Sequence, residues 1–185
     1  SGWTIMWRND PYFEFAPDGL FVFVTAPIGM SGKSILCNTT QACNYYRGFT
    51  AINAGTLHFQ LQATGTPNDE VLFALFGVDP TTTWLGGVRL NTANHLELVT
   101  TNDTGNVDLG AYTANTTVCV TIQFDALNHV DQYRASVDGG SFRSWTPTFS
   151  PFSSVGNISL QDRTTNSTAV YYDDIGPAAC SAPSS

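Results

Sequence analysis

Along this chain the apolar positions recur with a period of two rather than 3.6. From Thr56 to Gln62, Leu57, Phe59 and Leu61 alternate with His58, Gln60 and Gln62. From Thr117 to Phe124, Val118, Val120, Ile122 and Phe124 alternate with Cys119, Thr121 and Gln123. Successive side chains of a pleated strand point to opposite faces, so each stretch predicts a half-buried strand. Val71 to Val78 is almost wholly apolar and predicts a central strand covered on both faces. Shorter strands are predicted at Ser34–Cys37, Tyr45–Thr50, Gly87–Leu90, Leu96–Val99, Val107–Tyr112, Tyr133–Val137, Asn157–Gln161 and Ala169–Ile175. Tyr133–Val137 follows 117–124 closely enough to pair with it. Near the start, Pro11–Phe15 and Leu20–Thr25 flank Ala16-Pro17-Asp18-Gly19, a turn sequence that predicts a hairpin. No stretch carries a helical period. About a dozen short strands without crossover helices predict an all-β fold, a two-sheet antiparallel jelly-roll sandwich.

A chain of 185 residues is long enough to bury its own core as one domain. The expected organisation is an aromatic N-terminal arm and hairpin over 1–31, a jelly-roll domain over 32–180 and a tail over 181–185. In the arm, Trp3, Ile5 and Trp7 alternate with Thr4, Met6 and Arg8, so an extended segment would present one apolar face. Such a segment covers its own sheet or adds as a strand to a neighbouring copy, which makes these three residues the assembly candidates.

Composition narrows the partners. Charged residues make up 12% of the chain, against about 25% in ordinary domains, and the formal net charge is −8. That balance argues against nucleic acid and anionic membrane surfaces, both of which need clustered Lys and Arg. No apolar run reaches bilayer length, so membrane insertion is not expected. Four cysteines without paired short spacings or clustered His favour disulfides over zinc. Three pairings are formally possible; the favoured one joins Cys37 to Cys43 as a local clip and Cys119 to Cys180 as a staple for the tail. Sequons at Asn38, Asn102, Asn115, Asn157 and Asn166 are glycosylation candidates. Together these features predict a secreted or cell-surface protein.

Six segments, in their order along the chain, carry a family resemblance. Gly55-Thr56-Leu57-His58-Phe59-Gln60-Leu61 is similar to an early sheet strand of concanavalin A-like (laminin G-like) modules. Val71–Asp79 followed by Gly87–Leu90 and His95–Leu98 resembles their run of short strands. Ala135-Ser136-Val137-Asp138-Gly139-Gly140 and Val170-Tyr171-Tyr172-Asp173-Asp174-Ile175 resemble their late turn and closing strand. The resemblance begins near Gly32 and implies two curved antiparallel sheets, with functions that run from glycan binding to adhesion and include some enzymes.

Catalytic chemistry leaves little trace. Jelly-roll glycosidases place two carboxylates on one strand face, yet none of Glu14, Glu70 and Glu97 has an acidic residue two positions on. Tyr46, Arg47, Arg89, Tyr133 and Arg134 are present without the patterns of jelly-roll lyases. No cofactor is expected beyond a possible structural Ca²⁺, for which Asp79 and Asp173 are weak candidates. Sugar binding uses aromatic faces with directed polar groups. Trp84 and Trp145 lie in polar segments that lack strand alternation, and with Arg89 and Tyr112 they form the ligand-binding candidates. The favoured reading is a non-catalytic extracellular module for glycan recognition or adhesion. The alternative is a self-assembling subunit of a filament, coat or surface layer, partnered by copies of itself, and a polysaccharide-acting enzyme is less favoured.

Overall fold

The computed structural model describes residues 22–30, 33–37, 43–65, 70–78, 83–100, 105–162 and 168–180. Trp3, Ile5, Trp7, the expected hairpin at 11–25 up to residue 21, Asn38, Asp79, Asn102, Asn166 and the tail 181–185 lie outside them. Among the described residues the chain is all β. The strands are β1 (Val22–Thr25), β2 (Lys33–Cys37), β3 (Cys43–Ile52), β4 (Ala54–Ala63), β5 (Glu70–Phe76), β6 (Trp84–Leu90), β7 (His95–Leu98), β8 (Val107–Ala111), β9 (Val118–Asp125), β10 (Gln132–Val137), β11 (Thr146–Pro147), β12 (Val155–Asp162) and β13 (Val170–Gly176). Two antiparallel sheets run in the orders β1-β2-β13-β4-β9-β10-β11 and β3-β12-β5-β6-β7-β8. This is the two-sheet jelly-roll sandwich that the alternation predicts. Leu20–Thr25 was expected to close a hairpin with the segment before it; its described part, β1, pairs with β2 over Val22↔Leu36 to Thr25↔Lys33.

The alternating strands bury the faces their patterns assign. Leu57, Phe59 and Leu61 of β4 and Val118, Val120, Ile122 and Phe124 of β9 point into the core between the sheets. Phe59 stacks on Phe73 of the opposite sheet, ring centroids 4.0 Å apart. Burying one such ring removes enough apolar area to contribute about 2–3 kcal/mol. β5 lies between β12 and β6, and Leu72 to Phe76 are buried throughout, as a continuous apolar run requires. The core also ties the sheets by polar bonds. The Tyr172 hydroxyl on β13 donates toward the carbonyls of Leu72 (2.7 Å) and Gln161 (2.8 Å) in the other sheet. Tyr133 on β10 accepts from the Gly87 N–H at 3.1 Å and donates to the Val99 carbonyl. Gly87 has no room for a side chain: a Cβ would stand 2.0 Å from the Phe73 carbonyl oxygen.

Cys119 sits on the face of β9 opposite Val118 and Val120, and it is bonded to Cys180, with Cα atoms 6.1 Å apart. Since β4 lies between β13 and β9, residues 177–180 cross the outer face of β4 to reach it. The expected staple is therefore in place. Cys37 is also disulfide-bonded. Asp173 and Asp174 depart from simple strand alternation. Asp174 adopts φ 50°, its N–H bonds to the Asp173 carboxylate at 2.9 Å, and the ladder to β4 shifts register between Asp173 and Gly176.

Candidate functional site

The outer face of the seven-stranded sheet is built by period-two alternation. On β10, Tyr133 and Ala135 are buried in the core, so Arg134 and Ser136 face outward. Arg134 stands directly opposite Gln123 of β9, and its Nε donates to Gln123 Oε1 at 2.7 Å. The segment after β10 returns along its free edge. A turn with positive φ at Asp138 and Gly139 reverses the chain, closed by Gly140 N–H to Val137 C=O at 2.9 Å. Arg143 N–H then bonds Ala135 C=O at 2.9 Å, and Thr146 pairs with Tyr133. That register sets Trp145 beside Arg134.

The result is a row of stacked groups. The Arg134 guanidinium carbon lies over the Phe142 ring at 4.7 Å and over the Trp145 ring at 4.5 Å. His129 stacks on Trp145, centroids 3.8 Å apart and planes 16° from parallel. Cation–π contacts of this kind contribute about 0.5–2 kcal/mol each and fix the side chains in place. Phe142 at the end of the row is 37% exposed, while Arg134, Trp145, His129 and Gln123 are half-buried.

The β9–β10 turn delivers His129 by its own chemistry. Asp125 Oδ1 accepts from Leu127 and Asn128 N–H at 3.1 Å each, Oδ2 accepts from Asn128 Nδ2 at 2.8 Å, and Asp125 C=O accepts His129 N–H at 2.8 Å. These bonds, the Asn128 side chain foremost, hold the Asp125 carboxyl below its usual value. Asp131, at φ 54°, anchors the following loop by accepting Phe152 N–H on its side chain and Thr148 N–H on its carbonyl, both at 2.8 Å.

The other candidate residues lie elsewhere. Trp84 begins β6, in the other sheet from β10, and packs against Phe149 at 4.4 Å. Arg89 lies on the outer face of the six-stranded sheet, where its Nε donates to Glu97 Oε2 at 2.7 Å; Glu97 Oε1 accepts Asn91 Nδ2 at 2.7 Å. Asp108 stands opposite Glu97, a cross-strand pairing that one-strand spacing could not reveal. Its Oδ1 is 3.0 Å from His95 Nδ1, a bond that holds the Asp108 carboxyl below its usual value. Tyr112 is 5% exposed and its hydroxyl accepts from Ala63 N–H at 2.7 Å and donates to Thr116 C=O at 2.8 Å, so it is a core residue.

Asn157 is 6% exposed, and its amide nitrogen donates to Gly77 C=O at 2.9 Å and Val78 C=O at 3.0 Å. A glycan on that nitrogen would replace one of its two hydrogens, and so break one of these bonds, and would have to be housed in a buried place. Asn115 is exposed at a turn. Among the described residues no three His, Cys, Asp or Glu side chains converge as a metal site would need.

Neither a protein-family model nor a curated protein matches the chain. Solved structures do. A sialidase superposes over 86% of this chain and 16% of its own, at 15% identity and a TM-score of 0.59. An alginate lyase from Alteromonas sp. 272 superposes over 88% of this chain and 95% of its own, at 10% identity and a TM-score of 0.50. A tetrameric galectin from Cinachyrella sp., a ball sponge, superposes over 72% of this chain and 98% of its own, at 14% identity and a TM-score of 0.50. This chain thus spans a small part of the sialidase and nearly the whole of the other two. At these identities the likeness establishes the jelly-roll fold and nothing finer, and it is consistent with the resemblance in the strands.

Proposed function

We propose that this protein is a non-catalytic glycan-recognition module whose ligand lies along Phe142, Arg134 and Trp145 on the outer face at the β10–β11 edge. The observation that carries the reading is the Arg134 side chain. It is held over two aromatic rings with Nε committed to Gln123, and its terminal nitrogens have no hydrogen-bond partner among the described residues. Sugars present apolar C–H faces beside hydroxyls; an exposed ring next to fixed donors answers both. The names of the similar structures, a sialidase, an alginate lyase and a galectin, agree with a fold suited to saccharides.

Catalysis is not part of the proposal. The Glu97 carboxylate on β7 is bonded to Arg89 and Asn91. Both oxygens of that carboxylate are committed to partners within the protein. The disulfides support an oxidising compartment and hence a secreted or cell-surface setting.

A glycan array read with wild type, Trp145→Ala, Phe142→Ala and Trp84→Ala tests the reading. Binding should fall at least tenfold with Trp145→Ala and Phe142→Ala and persist with Trp84→Ala. Binding lost only with Trp84→Ala moves the site to β6, and no binding by wild type refutes the function.

A second reading, self-assembly, is supported by apolar side chains at one end of the sandwich. Ile52, Leu127, Val130 and Phe149 are exposed there. Bonds from Ala126 N–H to Asn53 C=O and from Thr148 N–H to Asp131 C=O bring the three turns that carry them together. Light scattering across a concentration series tests it: a constant monomer mass would refute assembly.

A further inference from the structure

We infer that the saccharide is acidic, and that Arg134 reads its carboxylate. This rests on the glycan-binding reading above and adds the ligand class to it.

Arg89, Arg134 and Arg143 are the arginine side chains among the described residues. The chain has seven basic side chains against fifteen acidic ones. Arg89 is paired with Glu97 at 2.7 Å. Arg143 donates through Nη2 to the Leu109 carbonyl at 3.2 Å and lends its charge to Asp108. Arg134 is different: its one hydrogen bond is to a neutral amide, Gln123 Oε1, and no carboxylate of the described residues pairs with it. In a protein with twice as many acids as bases, an arginine with no acid partner among the described residues is a position open to an acidic ligand.

The geometry selects the ligand. The guanidinium carbon stands 4.7 Å from the Phe142 ring centroid and 4.5 Å from that of Trp145, so two rings flank the group and hold it. One edge position, Nε, is taken by Gln123. The remaining terminal N–H groups form a planar fork that matches the two oxygens of a carboxylate. Holding the fork in place beforehand removes rotamer entropy from the cost of binding. The net charge of −8 gives no general attraction for polyanions, so the selectivity is local to this fork.

Titration calorimetry of the whole chain with a matched pair of ligands tests the inference. One is an oligouronate; the other is the same oligosaccharide with its carboxyls reduced to neutral alcohols. Wild type should bind the oligouronate at least tenfold more tightly. Arg134→Gln should weaken binding of both sugars and bring the ratio of their affinities to about one, and Arg134→Lys should restore part of that ratio, since lysine keeps the charge without the fork. Equal affinity of wild type for both sugars would overturn the acidic class and leave glycan binding standing. A difference that survives in Arg134→Gln would overturn the assignment to Arg134. Tighter binding of a sulfated neutral oligosaccharide than of the oligouronate would overturn the choice of carboxylate. Binding of none of them would overturn the glycan reading itself.

Discussion

Replacing both Cys119 and Cys180 by serine removes the staple without leaving a thiol to exchange with the remaining disulfide. The two residues are 61 apart in sequence. Closing a loop of that length in the unfolded chain costs about 14 cal/mol/K in the loop-entropy relation, or about 4 kcal/mol at 25 °C. Native contacts add little, because residues 177–179, which cross β4, are exposed. The loss therefore arises almost wholly in the unfolded ensemble, and the folded structure should persist. In urea the midpoint should fall by an amount equivalent to about 4 kcal/mol, with a slope equal to or larger than that of wild type, as a less constrained unfolded chain exposes more surface. For a chain of this size the melting temperature should drop by about 8–16 °C. A loss below about 1 kcal/mol with an unchanged slope would refute the reasoning, since it would mean that the unfolded chain gains little freedom from the cut.

Gly87→Ala should abolish folding or cost more than about 4 kcal/mol, because the new Cβ meets the Phe73 carbonyl; Gly139→Ala, with open space around it, should cost about 1–2 kcal/mol despite its φ of 70°. Burial pushes the Tyr133 and Tyr112 phenols above their ordinary value of 10.0. Their contribution should be complete below pH 10 and be lost as pH rises above it, with Tyr133 accounting for up to about 1.4 kcal/mol per pH unit; urea midpoints of wild type and Tyr112→Phe across pH 9 to about 11.5 check the sign and the share of each. Asn157→Ala should destabilise by about 1–3 kcal/mol by leaving the Gly77 and Val78 carbonyls without their donor, and intact-mass mapping of protein made in a glycosylating host should find no sugar at Asn157.

Strand positions were legible where one face is buried, because alternation then fixes which side chains enter the core. β4 and β9 are the plainest cases, and the same alternation turns Cys119 away from Val118 and Val120 to the outer face, where its disulfide lies. The two-residue β11 was not legible, since Thr146 and Pro147 have no alternation to detect and pair only because the chain returns along β10. The same return joins Trp145 to Arg134. Local sequence marked Trp145 as a candidate and put Arg134 within a strand, but their meeting depends on the Tyr133↔Thr146 register. His129 joins them through an Asp125-centred turn that reads in sequence only as a polar loop. Tyr112 misled for the opposite reason: at a strand end an aromatic residue can face solvent or core, and the carbonyls of Ala63 and Thr116 decided it. Asn157 carried a sequon, yet its strand lies between β3 and β5, where an amide is more useful as a buried donor than as an attachment point.

The most direct test of the account is a map of the bound ligand on the surface. Amide and arginine Nε–Hε resonances should be assigned and followed while an oligosaccharide that binds on the array is added. Shifts should concentrate at Gln123, His129, Arg134, Phe142 and Trp145, with the Arg134 Nε–Hε signal among the largest. Shifts centred instead on Arg89, Asn91 and Glu97, with the Arg134 signal unmoved, would contradict the assignment of the binding site.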